Sequence, residues 1–566
     1  MPTRISSLVF AGKAAAFRAR RGVLDLAAGP RRLKAVPAAG FSEIIADCST
    51  PLWSDAAPGE HGLQLGKVQN LRIACRALDG VLIPAGAVLS FWRQVGPPDA
   101  GRGYVRGRML KQGCIMPVVG GGLCQLSNAL YEAALQAGCR IVERHPHSRI
   151  VPGSAATLGR DATVAWNYVD LRFSGARDLR LTARLDRDSL TVRLSARPGG
   201  PAAPDLPVDA AFAAPGPAAR SCAACGETDC FRHAAPAAAG SADRRAFLVD
   251  EGWPEFQAYV RSARGPEDLL GRPLGEASAR YGWSGEGFAR SFSAGFETAR
   301  RSLALRGAAN GAARRRAELD AARRIAAALA RRLTPEVTAV TVAQSYLPFL
   351  WRDGHLGGRE VTVLMTRLPA SVLQRRLDAA FARHPDRPTL ADFRAEAALI
   401  EAEDTALAQA SRIVTAHAEV AALFAGRALQ LPWRTAAATS FAPRPIRKVA
   451  FPGPTVARKG AFEVRAAALA LDLEVAPMGA ELEGAGFWDG VRAGAFTGWA
   501  DIDAVVQPAL TEEQPRKLLA ALDAGVPVFA TAACGLASRP GLTLIEPDAP
   551  EALIAALLSW ARGHAG

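Results

Sequence analysis

Three groups of residues in this chain have types and spacings that could do chemistry. The first lies in VVGGGLCQLSNALYEAALQAGCRIVERHPHS, residues 118–148. There Cys124 directly follows a glycine triplet, and His145 and His147 come after the helix that Cys124 opens. A thiolate is stabilised by the unpaired N–H groups and the dipole of a helix N-terminus. With an imidazole to manage protons and loop amides to hold an oxyanion, these are the parts of acyl transfer. Two other readings stay open. His-x-His on a strand could bind a metal, with Cys124 or Asp161 completing the site. Or Cys124 is an inert packed thiol and the histidines satisfy carbonyls. The second group is SCAACGETDCFRH, a C-x2-C-x4-C-x2-H spacing of Cys222, Cys225, Cys230 and His233. It suits a tetrahedral structural zinc. The alternatives are an iron–sulfur cluster on the three cysteines, a redox switch, or accidental spacing. The third is Arg458-Lys459-Gly460 in FPGPTVARKGAFEVRAAALALDLEVAPMG, where a strand-end loop enters a helix. Cations beside a helix N-terminus make a diphosphate site; an ordinary solvated loop is the plain alternative.

These residues need elements to hold them. At 100° per residue a helix over 123–137 puts Leu123, Leu126, Leu130, Ala133, Ala134 and Ala137 on one core-facing stripe. Cys124, Ser127, Asn128 and Tyr131 fall on the opposite face, and Gly138 marks the helix end. CRIVERHPHS reads as a strand with Glu143, His145 and His147 on one side, if Pro146 does not break it. Cys48, Cys75, Cys114 and Cys139 lack this setting and read as small core residues. DATVAWNYVDLRFSG and DLRLTARLDRDSLTVRLSAR alternate with period two, so this domain ends in antiparallel strands. The last part of the chain cycles strand and helix from RKVAFPG to PEALIAALLSWARG, which implies a parallel sheet covered on both faces. Arg314-Arg315-Arg316 reads as a solvated helix face, with membrane contact second.

A chain of 566 residues is too long for one core. The reading divides it into a basic N-terminal segment, 1–40; a first domain, 41–196; a Pro/Ala linker, 197–221; the cysteine knuckle and spacer, 222–243; and two α/β halves, 244–440 and 441–566. Apolar residues make up 49%, yet no apolar run reaches the roughly 18–20 residues of a membrane span. The N-terminal segment is basic and weakly amphipathic, and its charge order is the reverse of a secretory signal. The expectation is a cytoplasmic protein with peripheral contact to an anionic membrane as an option. Net charge is +14, which favours anionic lipid or nucleotide phosphate. Nucleic acid is disfavoured, because no zinc-finger array, basic heptad or aromatic-rich RNP strand appears. Nine dispersed cysteines argue against structural disulfides.

LQLGKVQNLRIACRALDGVLIPAGAVLSFWRQVG, GGGLCQLSNALYEAALQAGCRIVERHPHS and GRDATVAWNYVDLRF together resemble the VanW family over about 60–175. Some exported members of that family are cysteine L,D-transpeptidases. The resemblance implies a nucleophile at Cys124 with His145 or His147 as base. Peptidoglycan cross-linking is extracytoplasmic, so a cytoplasmic acyl donor or a pure binding role are the two consequences. Residues 440–566 are similar to the donor half of GT-B retaining glycosyltransferases, with EAEDTALAQASRIVTAHAEVAALF like the end of the other half. That resemblance implies a nucleotide-sugar donor, with Arg458 and Lys459 on its diphosphate and Glu512 as the first residue of a Glu-x7-Glu motif. The second Glu is replaced by Ala520. The expected fold is multidomain α/β: a mixed α+β VanW-like domain, then two Rossmann-like parallel-sheet halves. The expected function is envelope biogenesis by transfer of sugar to a glycan, peptidoglycan precursor or lipid-linked acceptor. Acyl transfer at Cys124 and a non-catalytic glycan-binding scaffold are the alternatives.

Overall fold

The computed structural model describes residues 4–53, 60–111, 114–147, 161–199, 220–221, 243–435 and 445–563. The zinc knuckle expected at Cys222, Cys225, Cys230 and His233 lies outside the described residues. The chain forms two compact units. One comprises Met1–Arg244, Leu333–Thr338 and Arg352–Glu360; the other comprises Arg245–Arg332, Ala339–Trp351 and Val361–Gly566.

The first unit is α+β. Strand Glu43–Pro51 pairs antiparallel with Ser189–Ala196, which pairs with Leu179–Leu185, which pairs with Leu82–Ile83. Leu179–Leu185 alternates buried and half-buried along its whole length, so its odd-numbered residues make one core face. A second antiparallel sheet joins Val88–Ser90, Arg172–Ser174 and Arg140–Glu143. The helices His61–Leu78 and Cys124–Gln136 pack into the same core, with Leu71, Leu78, Leu126, Leu130, Phe91 and Phe173 fully buried. The N-terminal helix Arg4–Ala28 docks on this unit by charge. Arg21 is bidentate to Glu143 and Asp25 pairs with Arg172 at 2.8 Å.

The second unit holds two parallel sheets of the same design. In the first the strands run Arg290–Ser293, Leu269–Arg272, Arg244–Leu248, Val337–Ala343, Glu360–Leu364, Arg412–Thr415 and Ala428–Gln430. In the second they run Arg492–Ala493, Glu474–Pro477, Lys448–Phe451, Ala504–Gln507, Val528–Ala530 and Leu542–Leu544. Numbered along the chain within each sheet, both begin 3-2-1-4-5-6, the doubly wound order of dinucleotide-binding folds. Such a sheet has its crevice where the order reverses, beyond the C-terminal ends of its first and fourth strands. Two sheets of this order in succession are the GT-B-like architecture that the resemblance implied.

Gly460 shows how tightly the loop after strand Lys448–Phe451 is drawn. Its φ is +86°, and a Cβ there would stand 2.6 Å from Pro508 O. Gly460→Ala should therefore destabilise the chain by about 1–3 kcal/mol, part from left-handed strain and part from the backbone clash. Urea unfolding checks this; an unchanged midpoint would mean the loop relaxes freely.

Candidate active sites

Cys124 is the first residue of helix Cys124–Gln136. The expected stripe is buried: Leu123, Leu126, Leu130, Ala133, Ala134 and Ala137 all lie in the core. The other face is not open to water either, since Ser127 and Tyr131 are buried too. Residues 161–164 run across it. Ser127 Oγ donates to Ala162 O at 2.6 Å, and Asn128 Oδ1 accepts from Ala162 N at 2.8 Å. This lays Thr163 Oγ1 at 3.7 Å and Val164 O at 3.8 Å from Cys124 Sγ.

The same segment delivers Asp161. Its Oδ2 accepts from both the backbone N and the ring Nδ1 of His147, each at 2.6 Å. Arg144 Nη2 holds the other oxygen at 3.1 Å. The His147 ring is also the strongest influence favouring the thiolate of Cys124. The carboxylate of Asp161 fixes which ring nitrogen of His147 faces it. Burial pushes the Cys124 thiol up, but the hydrogen bond and charge of His147, helped by Val164 and Thr163, leave it below its ordinary value. Burial pulls His147 down, yet its bonds to Asp161 and Cys124 raise it to about 10. Asp161 is held below the usual carboxylate range, mainly by His147, against the cost of burial. Burial pushes three thiols of the same unit the opposite way: Cys48 and Cys75 rise, and Cys139 rises to about 12.

His145 does not reach this site. The strand stops at Glu143 rather than continuing through His147. Pro146 has no N–H to extend a ladder. His145 Nε2 lies 3.2 Å from Glu143 Oε1 and its side chain is half exposed. The metal alternative has no ligand set here: among the described residues no group of three or more His, Cys, Asp or Glu side chains could hold an ion. His147 Nδ1 is already engaged by Asp161. Asp161 figured in the sequence only as a metal ligand. Its role as the third member depends on the crossing at Ala162, which no local pattern encodes.

The second unit carries a cleft of about 390 Å³. Asp250 and Glu251 follow the first strand of the seven-stranded sheet, and Gln344 and Ser345 follow its fourth. Arg458 and Lys459 follow the first strand of the six-stranded sheet, and Thr511, Glu512 and Glu513 follow its fourth. The two switch points therefore share one cavity. Lys459 Nζ donates to Thr511 O at 2.8 Å and to Glu512 Oε2 at 3.0 Å. Glu512 also accepts from Gln507 Nε2 at 2.6 Å and from Gln514 N at 3.0 Å. Burial raises Glu512, but the charge of Lys459 with these hydrogen bonds keeps it below the ordinary carboxylate range. Glu512 is bonded to Lys459 rather than standing across the cleft from it. The Arg458 guanidinium lies 5.2 Å from the ring centre of Phe393, and among the described residues it has no carboxylate at ion-pair distance. Ala520 is exposed on helix Arg516–Asp523 and offers no side-chain acceptor.

Residues 66–195 match the family model described as VanW like protein. Uncharacterized protein YoaR of Bacillus subtilis is 31% identical over 146 residues, 26% of this chain and 48% of that protein. Vancomycin B-type resistance protein VanW of Enterococcus faecalis is 36% identical over 114 residues, 19% of this chain and 41% of that one. The chain thus spans less than half the length of either curated relative. Among solved structures, sucrose-phosphate synthase from Thermosynechococcus elongatus aligns with 57% of this chain and 92% of its own, at 14% identity and a TM-score of 0.35. The doubly wound order, repeated in both sheets, identifies the second unit. The chain therefore joins a region that matches the VanW like protein model, residues 66–195, to a module of GT-B-like fold.

Proposed function

We propose that this is a two-module envelope-biogenesis enzyme. Its second unit transfers a sugar from a nucleotide donor to a glycan, peptidoglycan precursor or lipid-linked acceptor. The observation that carries this is the meeting of Arg458, Lys459 and Glu512 at the switch point of the six-stranded sheet, in a cavity that the switch point of the seven-stranded sheet also lines. Cations there stabilise a diphosphate leaving group as the glycosidic bond breaks. Exposed Ala520 in place of a ribose-binding carboxylate means weak nucleoside discrimination. A thermal-shift and hydrolysis screen of nucleotide sugars tests the reading. No shift and no hydrolysis with any donor would leave the fold without its reaction and favour the scaffold alternative.

A second reading belongs to the first unit, because His147 is held by Asp161 and lowers the pKa of the Cys124 thiol. Cys124 Sγ attacks an acyl carbonyl, and the imidazolium of His147 gives its proton to the departing amine. The resulting thioester passes its acyl group to a second amine, whose proton returns to His147. Asp161 keeps Nδ1 protonated throughout.

The knuckle is proposed to bind one structural zinc, with iron–sulfur as the alternative. Purified chain should carry about one zinc and lose it on Cys→Ser change at Cys222, Cys225 or Cys230. Protein prepared anaerobically with neither zinc nor iron would end that proposal.

Contact with the inner face of an anionic membrane is assigned to helix Arg4–Ala28. Ile5, Leu8, Val9, Val23 and Leu26 fall on its free side and are more than half exposed. Exposed Arg4, Lys13 and Arg20 flank them, which is the charge an anionic surface attracts. No helix among the described residues is long and apolar enough to cross a membrane. Vesicles containing anionic lipid should sediment the chain and release it when Leu8 and Leu26 are changed to Ser. Equal binding to neutral vesicles, or none to either, would overturn the assignment.

A further inference from the structure

We propose that Arg315 and Arg458 clamp a phosphate-class anion across the cleft of the second unit, with Phe393 as the surface both guanidiniums rest on. The proposal builds on the donor reading and adds a residue from the other half of the module. The triplet Arg314-Arg315-Arg316 sits in helix Gly311–Ala330. Neighbours on a helix point about 100° apart, so three in a row cannot share a solvated face. Arg314 and Arg316 are exposed; Arg315 turns inward to line the cleft, with its side chain only 12% exposed.

Burying a guanidinium is costly unless charge and hydrogen bonds are met. Those of Arg315 are poorly met. Its nearest carboxylate, Glu318, is 3.8 Å away and is approached more closely, at 3.4 Å, by Arg314. Its Nε is buried with no hydrogen-bond partner among the described residues. Burial, with the nearby charge of Arg367, pulls Arg315 down to about 10. The Arg315 guanidinium carbon lies 4.1 Å from the Phe393 ring centre, and that of Arg458 lies 5.2 Å from the same centre. The other cations of the cleft have closer carboxylates: Arg280 pairs with Glu251, Arg301 with Asp250 at 3.3 Å, Arg367 with Glu403 at 3.3 Å and Lys459 with Glu512 at 3.0 Å. Two under-compensated guanidiniums against one ring, both lining the cleft, leave positive charge that an arriving anion can meet. Planar forks of this kind bind phosphoryl oxygens in pairs. The anion has two sources, the donor's diphosphate or a phosphate on the acceptor.

Isothermal titration of the full chain separates them, using pyrophosphate as the first probe and dodecyl phosphate, with pyrophosphate saturating, as the second. Arg315→Gln should weaken one of the two by about ten-fold or more, while Arg316→Gln changes neither beyond about two-fold. Weakened pyrophosphate assigns the clamp to the donor; weakened dodecyl phosphate alone assigns it to the acceptor. Arg315→Met should keep or raise the Tm, because an under-paired buried charge is replaced by an apolar chain. A lowered Tm with both affinities intact would make Arg315 structural and overturn the clamp. If Arg458→Gln weakens pyrophosphate and Arg315→Gln weakens neither probe, the clamp falls and the donor reading stands. If the unaltered chain binds neither, both fall.

Discussion

Cys124 should be alkylated by iodoacetamide near neutral pH faster than Cys48, Cys75, Cys114 or Cys139, and His147→Ala should slow that reaction by one to two orders of magnitude. The thiolate is the reactive form, so the rate at fixed pH follows the thiolate fraction. Two opposed effects set that fraction at Cys124. Burial favours the neutral thiol, while His147 favours the anion by hydrogen bond and charge, and His147 wins. Removing the imidazole leaves burial opposed only by the contacts of Val164 and Thr163, and each unit of upward shift costs about ten-fold in thiolate below the pKa. The pH profile has a definite shape. The rate rises as pH passes the lowered thiol pKa. It holds while His147 stays cationic and changes again near its raised value of about 10. Asp161→Asn should shift both limbs, since Asp161 is the larger favourable contact on His147. Labelling of Cys124 no faster than of Cys48, or a His147→Ala protein with unchanged kinetics, would end the nucleophile reading. His145→Ala is the control, since His145 bonds Glu143 and should leave the rate alone.

The contrast between the two histidines shows what the sequence could carry. The helix at Cys124, its core stripe and the glycine-rich entry are local features with a period, and they were legible. The strand–helix alternation of residues 447–563 was legible for the same reason, and it led to the parallel sheet there. His145 and His147 were not separable, because period two assumes a continuing strand and Pro146 stops the ladder. Asp161 was nearly hidden: its place is fixed by the hydrogen bond that Ser127 donates to Ala162 O and the one that Asn128 accepts from Ala162 N, side chains that look like ordinary polar helix residues. Arg315 was misplaced because a run of three arginines was read as one feature. Helical geometry had already made that impossible.

Lys459→Ala should weaken binding of pyrophosphate or a nucleotide-sugar donor by about one to two orders of magnitude, the worth of a charge-assisted contact. The loss has two parts, and they can be told apart. The first is the direct contact, a cation at the entry to helix Ala461–Leu471. The second comes from Glu512. Its charge is held in a buried place chiefly by Lys459, with Gln507 and the amide of Gln514 in support. Without Lys459 that carboxylate faces the cleft uncompensated and repels an arriving diphosphate. Adding Glu512→Gln to Lys459→Ala should then recover part of the affinity. Glu512→Gln alone in the unaltered background should instead free Lys459 and bind pyrophosphate at least as well, while losing whatever contact Glu512 makes to the sugar. Opposite signs for the bare anion and for the intact donor would place Glu512 on the sugar and Lys459 on the phosphates. If Lys459→Ala binds both ligands as the unaltered chain does, the ion pair is only a brace between the loop at Lys459 and the one at Thr511, and the phosphate site must lie elsewhere in the cleft.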